Sequence, residues 1–145
     1  MAVLPIRKVG DPVLRTDTKP VKEITDKTKR LLKDMADTMY DADGVGLAAP
    51  QIGVSKKMFV VDIGEGLISL VNPEIIESSG EDIDEEGCLS IPGEAGDVLR
   101  AEKIVIKGLN PEGEEVKIEA NGLLARALQH EFDHLNGVLF IDKMK

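Results

Sequence analysis

The strongest constraint on this chain is the pentapeptide His130-Glu131-Phe132-Asp133-His134, which holds its only two histidines. Residues four apart lie one above the other on the same face of a helix, so two imidazoles in this register can hold one metal ion. The glutamate beside the first can then reach a water at that ion, the H-E-x-x-H arrangement of zinc hydrolases. The pattern predicts a helix here. An amphipathic helix with a chance pair of histidines is the plain alternative.

The inventory of metal ligands narrows the choice. A closed structural zinc site takes four ligands, mostly Cys and His. This chain has three such side chains, Cys88, His130 and His134. If all three bind one ion, the fourth position falls to water unless a carboxylate fills it, and three protein ligands plus water is the catalytic pattern. Glu131 lies about 100° around the helix from His130 and is better placed to accept a proton than to serve as a ligand. A lone cysteine also reads as a small buried hydrophobe. Because Cys88 cannot form an intramolecular disulfide, it points to a reducing compartment.

Composition excludes several classes. The net charge of −9 repels phosphate backbones, so nucleic-acid binding through a broad basic face is not expected. No run approaches the roughly 18 apolar residues of a membrane span, and the N-terminus lacks a signal core. The expected location is the cytoplasm, without a membrane partner. At 145 residues the chain is expected to form one domain, residues 1–145. It has no Trp and few aromatics, so its core must come from Leu, Ile, Val, Met and Ala.

Along the chain, Asp11 to Arg15 reads as a capped helical turn. Thr25 caps a helix whose Leu31, Leu32, Met35 and Met39 recur at helical spacing, a stripe expected to be core. The stretch from Gly44 to Gly53 loosely matches a G-x-G-x-x-A dinucleotide pattern, but it follows a helix and runs into Pro50, which rules that reading out. It reads better as closely packed backbone with Gln51 as its one amide. Strands are expected at 57–63 and at 67–76, the second broken at Asn72-Pro73. The acidic run 81–87 imitates an EF-hand loop but puts Gly93 where the bidentate Glu should stand, so it reads as a solvated strand edge or turn. One strand is expected from Val98 to Leu109, then a turn at 110–113 and a half-buried strand at 115–120, together a hairpin. Asn121 is expected to cap a helix over Gly122–Leu135, with a short closing strand from Val138 to Ile141.

Three stretches, Gly44-Val45-Gly46-Leu47-Ala48-Ala49-Pro50-Gln51, Glu86-Gly87-Cys88-Leu89-Ser90 and Gln129-His130-Glu131-Phe132-Asp133-His134-Leu135, resemble in order the signature motifs of the peptide deformylase family. The resemblance extends over essentially the whole chain. It implies a metal-dependent hydrolase that removes the formyl group from the N-terminal formyl-methionine of new polypeptides. It implies an α+β fold with antiparallel sheets around a central C-terminal helix carrying the histidines, beside an N-terminal packing helix.

By motif position Cys88, His130 and His134 would be the metal ligands and Glu131 the general base and acid. The Gln51 amide and the Leu89 backbone N–H would bind the oxyanion. Val45, Leu123, Arg126, Ala127 and His130 would wall the methionine pocket, and the backbone of Val45, Gly46 and Gly87 would pair with the peptide. Glu86 and Arg100 match an acidic-basic pair behind the ligands, with an ordinary surface ion pair as the alternative. The implied ion is Fe2+ in the cell, with Zn2+, Ni2+ or Co2+ tolerated. The implied partners are formyl-methionyl nascent peptides, with room for transient ribosome contact.

Two departures qualify the resemblance. Ala95, in the Ile91–Arg100 loop, replaces a larger residue common in relatives, so contacts beyond methionine are expected to be weaker. The sequence stops at Lys145, short of the C-terminal helix some relatives use on the ribosome. Two other readings remain at this point. A zinc endopeptidase would draw its third ligand from downstream, where only eleven residues follow His134. A non-catalytic paralogue binding formylated N-termini would need neither Gln51 nor Glu131.

Overall fold

The computed structural model describes residues 2–144. Helix α1 (Asp26–Asp41) starts at Thr25, whose hydroxyl accepts from the Thr28 N–H while the Thr28 hydroxyl accepts from the Thr25 N–H. That reciprocal pairing satisfies two otherwise orphaned donors. Leu32, Met35 and Met39 of α1 are fully or almost fully buried, as a core stripe should be. A five-stranded antiparallel sheet is built from β1 (Gly46–Ala48), β2 (Met58–Val61), β3 (Ile68–Ser79), β6 (Lys103–Leu109) and β7 (Glu115–Asn121), in the spatial order β1-β2-β3-β6-β7. Between β3 and β6 in sequence, β4 (Asp82–Cys88) and β5 (Ile91–Arg100) form a separate two-stranded sheet. Helix α2 (Gly122–His134) carries both histidines. Single 3-10 turns lie at Pro12–Arg15, Ala49–Ile52 and Phe140–Lys143.

The two helices cover opposite faces of the large sheet, and β2 shows why. Successive side chains of a strand point to opposite faces. Met58 and Val60 pack with Leu32, Met35 and Met39 of α1, whereas Phe59 and Val61 pack with Ala125, Ala127 and Leu128 of α2. A strand buried on both faces must be apolar throughout, and Met58-Phe59-Val60-Val61 is. A third cluster of Leu14, Ile91, Val98, Leu139 and Phe140 lies under the β4–β5 hairpin. The fold is therefore α+β with antiparallel sheets.

Five local expectations are corrected. The run Val98–Leu109 is not one strand: β5 ends at Arg100 and β6 begins at Lys103, in different sheets. The chain crosses at Ala101, whose N–H and C=O are both bonded to the Gln129 side chain. The segment from Ile91 to Arg100 is a strand rather than a loop, with Ala95 exposed and directly opposite Gly87. Val138–Ile141 is not a strand. Leu139 and Phe140 are buried, but the Leu139 N–H is taken by the Asp142 carboxylate and the chain coils into a 3-10 turn. Strand β3 continues through Asn72-Pro73 to Ser79 with a register shift between Val71 and Glu74. Asn72 adopts φ 52° there, and its amide clasps the Val21 backbone in both directions, which offsets the broken ladder. Asn121 does precede α2, but its side chain makes no capping bond.

Candidate metal centre

The H-E-x-x-H stretch occupies the last turns of α2, as the spacing requires, and both histidines are buried. Cys88 arrives from the end of β4, where the pairing with β5 breaks register between Gly87 and Cys88. One ligand atom from each of Cys88, His130 and His134 lies within 4.8 Å of the others. Cys88 Sγ is 3.4 Å from His134 Nε2.

His130 is held from behind, whereas His134 Nδ1 is buried without a hydrogen-bond partner among the described residues. His130 Nδ1 bonds Glu86 Oε1 at 2.9 Å, leaving Nε2 for the cluster. The His130 ring stacks on Phe140 at 6.1 Å and meets His134 edge-on at 5.0 Å. Glu86 also accepts two bonds from Arg100, each 2.9 Å. With side-chain exposures of 5% and 2%, Glu86 and Arg100 form a buried ion pair, not a surface one. Burial opposes the charge on Glu86, but Arg100 and His130 outweigh it and hold the carboxyl well below its usual range. Arg100 reaches on to Asp133, which also forms an ion pair with Lys143 at 3.2 Å.

Glu131 is 4% exposed, and its Oε1 is buried without a hydrogen-bond partner among the described residues. Burial raises its pKa to about 7, against the pull of His130. Its other oxygen is 4.0 Å from His130 Nε2. Burial works against charge on His130, yet Glu131, Cys88 and Glu86 together push its pKa up to about 10. His134, by contrast, is driven well below its ordinary value by burial and by His130. These surroundings favour positive charge at the His130 ring edge. A divalent cation fits that demand, and the Cys/His/His donor set is the kind that holds one.

Gln51 lies in the 3-10 turn after β1, almost fully buried. Its Oε1 accepts from the Ala48 N–H at 2.9 Å, which fixes the amide orientation. Nε2 therefore points towards the cluster, 3.1 Å from Ser90 Oγ and 3.5 Å from Cys88 Sγ. Gly46 is small for a steric reason: a Cβ there would stand 2.4 Å from Glu131 Oε2. At Gly44 a Cβ would stand 2.6 Å from a Leu89 methyl. The G-x-G spacing thus lets β1 lie against the glutamate and the cysteine loop.

A cavity of about 370 Å³ opens onto this cluster. Its lining includes Val45, Gly46, Gln51, Gly87, Cys88, Leu89, Leu123, Arg126, Ala127, His130 and Glu131. Of the residues singled out from sequence, three lie outside the lining: His134, beside Cys88, Arg100, behind Glu86, and Ala95, on β5. Val45 and Leu123 are about half exposed at its mouth. The cavity lies between β1 and β4, each of which has a single strand partner. Four contributors had no expected role: Ser90, Gln129, Asp133 and Phe140. The first three sit inside the quoted motifs, which is a signal of sorts. Nothing local marks Phe140 as a stacking partner for a residue ten positions earlier.

A model of the polypeptide deformylase family matches residues 3–145. The chain is 66% identical to a peptide deformylase of Halothermothrix orenii, over 99% of this chain and 95% of that protein. It is 64% identical to one from Carboxydothermus hydrogenoformans, over 99% of this chain and 94% of that protein. Its structure superposes on the crystal structure of a peptide deformylase from Thermotoga maritima with a TM-score of 0.98 and 46% identity, covering 100% of this chain and 99% of that one.

Proposed function

The chain belongs to the polypeptide deformylase family, and from that premise we propose how its residues remove the formyl group from the N-terminal formyl-methionine of newly made polypeptides. Cys88, His130 and His134 hold one divalent ion, Fe2+ in the cell, with Zn2+, Ni2+ or Co2+ able to replace it. Such an ion supplies Lewis-acid chemistry, drawing the pKa of water from about 15.7 towards about 7.

Glu131 moves the proton. Its carboxylate takes a proton from the water that attacks the formyl carbon. It then returns that proton to the amine nitrogen as the C–N bond breaks, so that formate and a free amino terminus leave. Burial disfavours charge on this carboxyl, which helps it hold the proton between the two steps. As the carbon becomes tetrahedral, negative charge gathers on the formyl oxygen. The Gln51 Nε2–H and the Leu89 N–H receive it, and Gln51 is already turned by Ala48 and Ser90 before substrate arrives. The methionine side chain lies against Val45, Leu123, Ala127 and the stem of Arg126. The peptide backbone runs between β1 and β4, pairing with Val45, Gly46 and Gly87 as an added strand.

Residues 1–145 act as one catalytic domain. A substrate of this kind fits a cytoplasmic enzyme that meets nascent chains as they are made. Among the described residues no helix is long and apolar enough to cross a membrane.

The observation that carries the mechanism is a buried, unpartnered carboxylate oxygen on Glu131 next to three convergent metal donors. The test is anaerobic turnover of a formyl-Met peptide by Fe2+-loaded protein beside its Glu131→Ala variant. The variant is expected to retain its ion and lose turnover. An equally active variant, or an inert wild type, overturns the mechanism.

A further inference from the structure

The metal donors belong to two bodies that share no backbone ladder. His130 and His134 ride on α2, packed on the five-stranded sheet, whereas Cys88 ends β4 of the separate hairpin. Some contact must set the distance between hairpin and helix, and one side chain bonds both strands of the hairpin from α2. Arg126, one turn before His130, is 6% exposed at its side chain. Its Nη1 donates to Glu86 Oε2 at 2.6 Å and to the Val98 carbonyl of β5 at 2.9 Å. Its Nη2 donates to the Asp82 carbonyl of β4 at 2.8 Å and to the Asp82 carboxylate at 3.3 Å.

We infer that Arg126 is a positioning residue for the metal centre: its guanidinium clamps the β4–β5 hairpin onto α2 and so sets where Cys88 stands relative to the histidines. This rests on the metal-binding reading above and goes beyond the role of Arg126 as a pocket wall. Arg100 makes the reciprocal tie, from β5 to Asp133 of α2. The two guanidiniums meet on the same carboxylate, Glu86, which also accepts from His130. Thiolate position and imidazole orientation are therefore set by one buried set of charge-assisted bonds. Such bonds are directional, and a planar fork serves two acceptor directions at once. A lysine could not do the same, because its donors radiate from one nitrogen while Nη1 and Nη2 serve Val98 and Asp82 separately.

The test uses the full chain loaded with Co2+, whose thiolate absorption reports the Cys88 bond. Affinity is read by competition with a chelator, beside circular dichroism. For Arg126→Met, which keeps the apolar stem, Co2+ affinity is expected to fall about 10–100-fold with the thiolate band shifted and the fold retained. At saturating Co2+, kcat is expected to fall more than KM rises. Unchanged affinity and spectrum overturn the inference, as does a rise in KM alone, the signature of a pocket wall. Should Arg126→Met fail to fold, Arg126→Lys decides: reduced affinity supports the clamp and wild-type affinity overturns it. A wild type that binds no Co2+ sinks the metal reading itself and takes this inference with it, whereas a binding wild type with an indifferent variant sinks the clamp alone.

Discussion

Gln51 illustrates how a single residue becomes committed to one task. An amide can donate and accept, and which end faces the site is decided by its neighbours. The Ala48 N–H claims the oxygen, so the nitrogen is left to donate beside Ser90 and Cys88. Replacing it by a side chain of similar size without a donor, Gln51→Leu, is expected to lower kcat by roughly 10²–10³ while leaving metal content and KM close to wild type. Steady-state kinetics alongside metal analysis checks this; a variant with wild-type kcat would remove Gln51 from the oxyanion site. The presence of Gln51 in a small-residue stretch was legible in the sequence. Its orientation was not, because the bond that sets it comes from Ala48 adopting a strand conformation before the turn. Arg126 shows the same limit: its place on the helix face was readable, but its partners at Asp82, Glu86 and Val98 lie 28 to 44 residues away.

At the scale of elements, helix α1 and strand β2 are joined at their ends as well as by their shared core. Tyr40, at the end of α1, donates its hydroxyl to Asp62 Oδ2 at 2.6 Å, and Asp62 Oδ1 accepts from Gly64 N–H at 2.8 Å. The carboxylate accepting this bond raises the Tyr40 pKa above its ordinary value. The shift favours the neutral phenol, so ionisation should begin only at higher pH than in an unfolded chain, where the phenol titrates near about 10. Tyr40 is the only tyrosine and there is no tryptophan, so phenolate absorbance reports this one group. Its titration midpoint is expected above that of the denatured chain and closer to it in Asp62→Asn. Identical midpoints in all three samples would show that the tether does not form in solution. The two helices and the β6–β7 hairpin were legible because their signals are local: helical spacing, a Thr25 cap, and a turn at Asn110–Gly113. Strand β5 was not, since Ile91-Pro92-Gly93-Glu94-Ala95-Gly96-Asp97 lacks alternation and has low intrinsic strand preference. It is a strand because β4 pairs with it from Asp82 to Cys88.

For the whole molecule, the candidate metal centre is where three separately built parts converge: helix α2, the hairpin, and the edge of the large sheet. An ion bound there links hairpin to helix only in the folded state, and so stabilises that state by mass action, by about 4 kcal/mol at a free concentration 1,000 times Kd. Stripping the ion with a chelator is expected to lower Tm by several degrees, with a smaller shift in Cys88→Ser, as followed by calorimetry. An unaltered Tm after verified metal loss would mean that the protein contacts alone fix the hairpin. The sequence by itself determined which residues could do chemistry. One Cys, two His at helical spacing and a Glu between them allow few other uses, and their neighbours within four positions suffice to build the helix that aligns them. Only the tertiary structure decided how Cys88 reaches that helix, which charges are buried with which partners, and where the chain crosses from one sheet to the other. Those outcomes depend on contacts between residues far apart in the chain. The free energy of such a contact exists only after the intervening segments have closed, so no local pattern carries it.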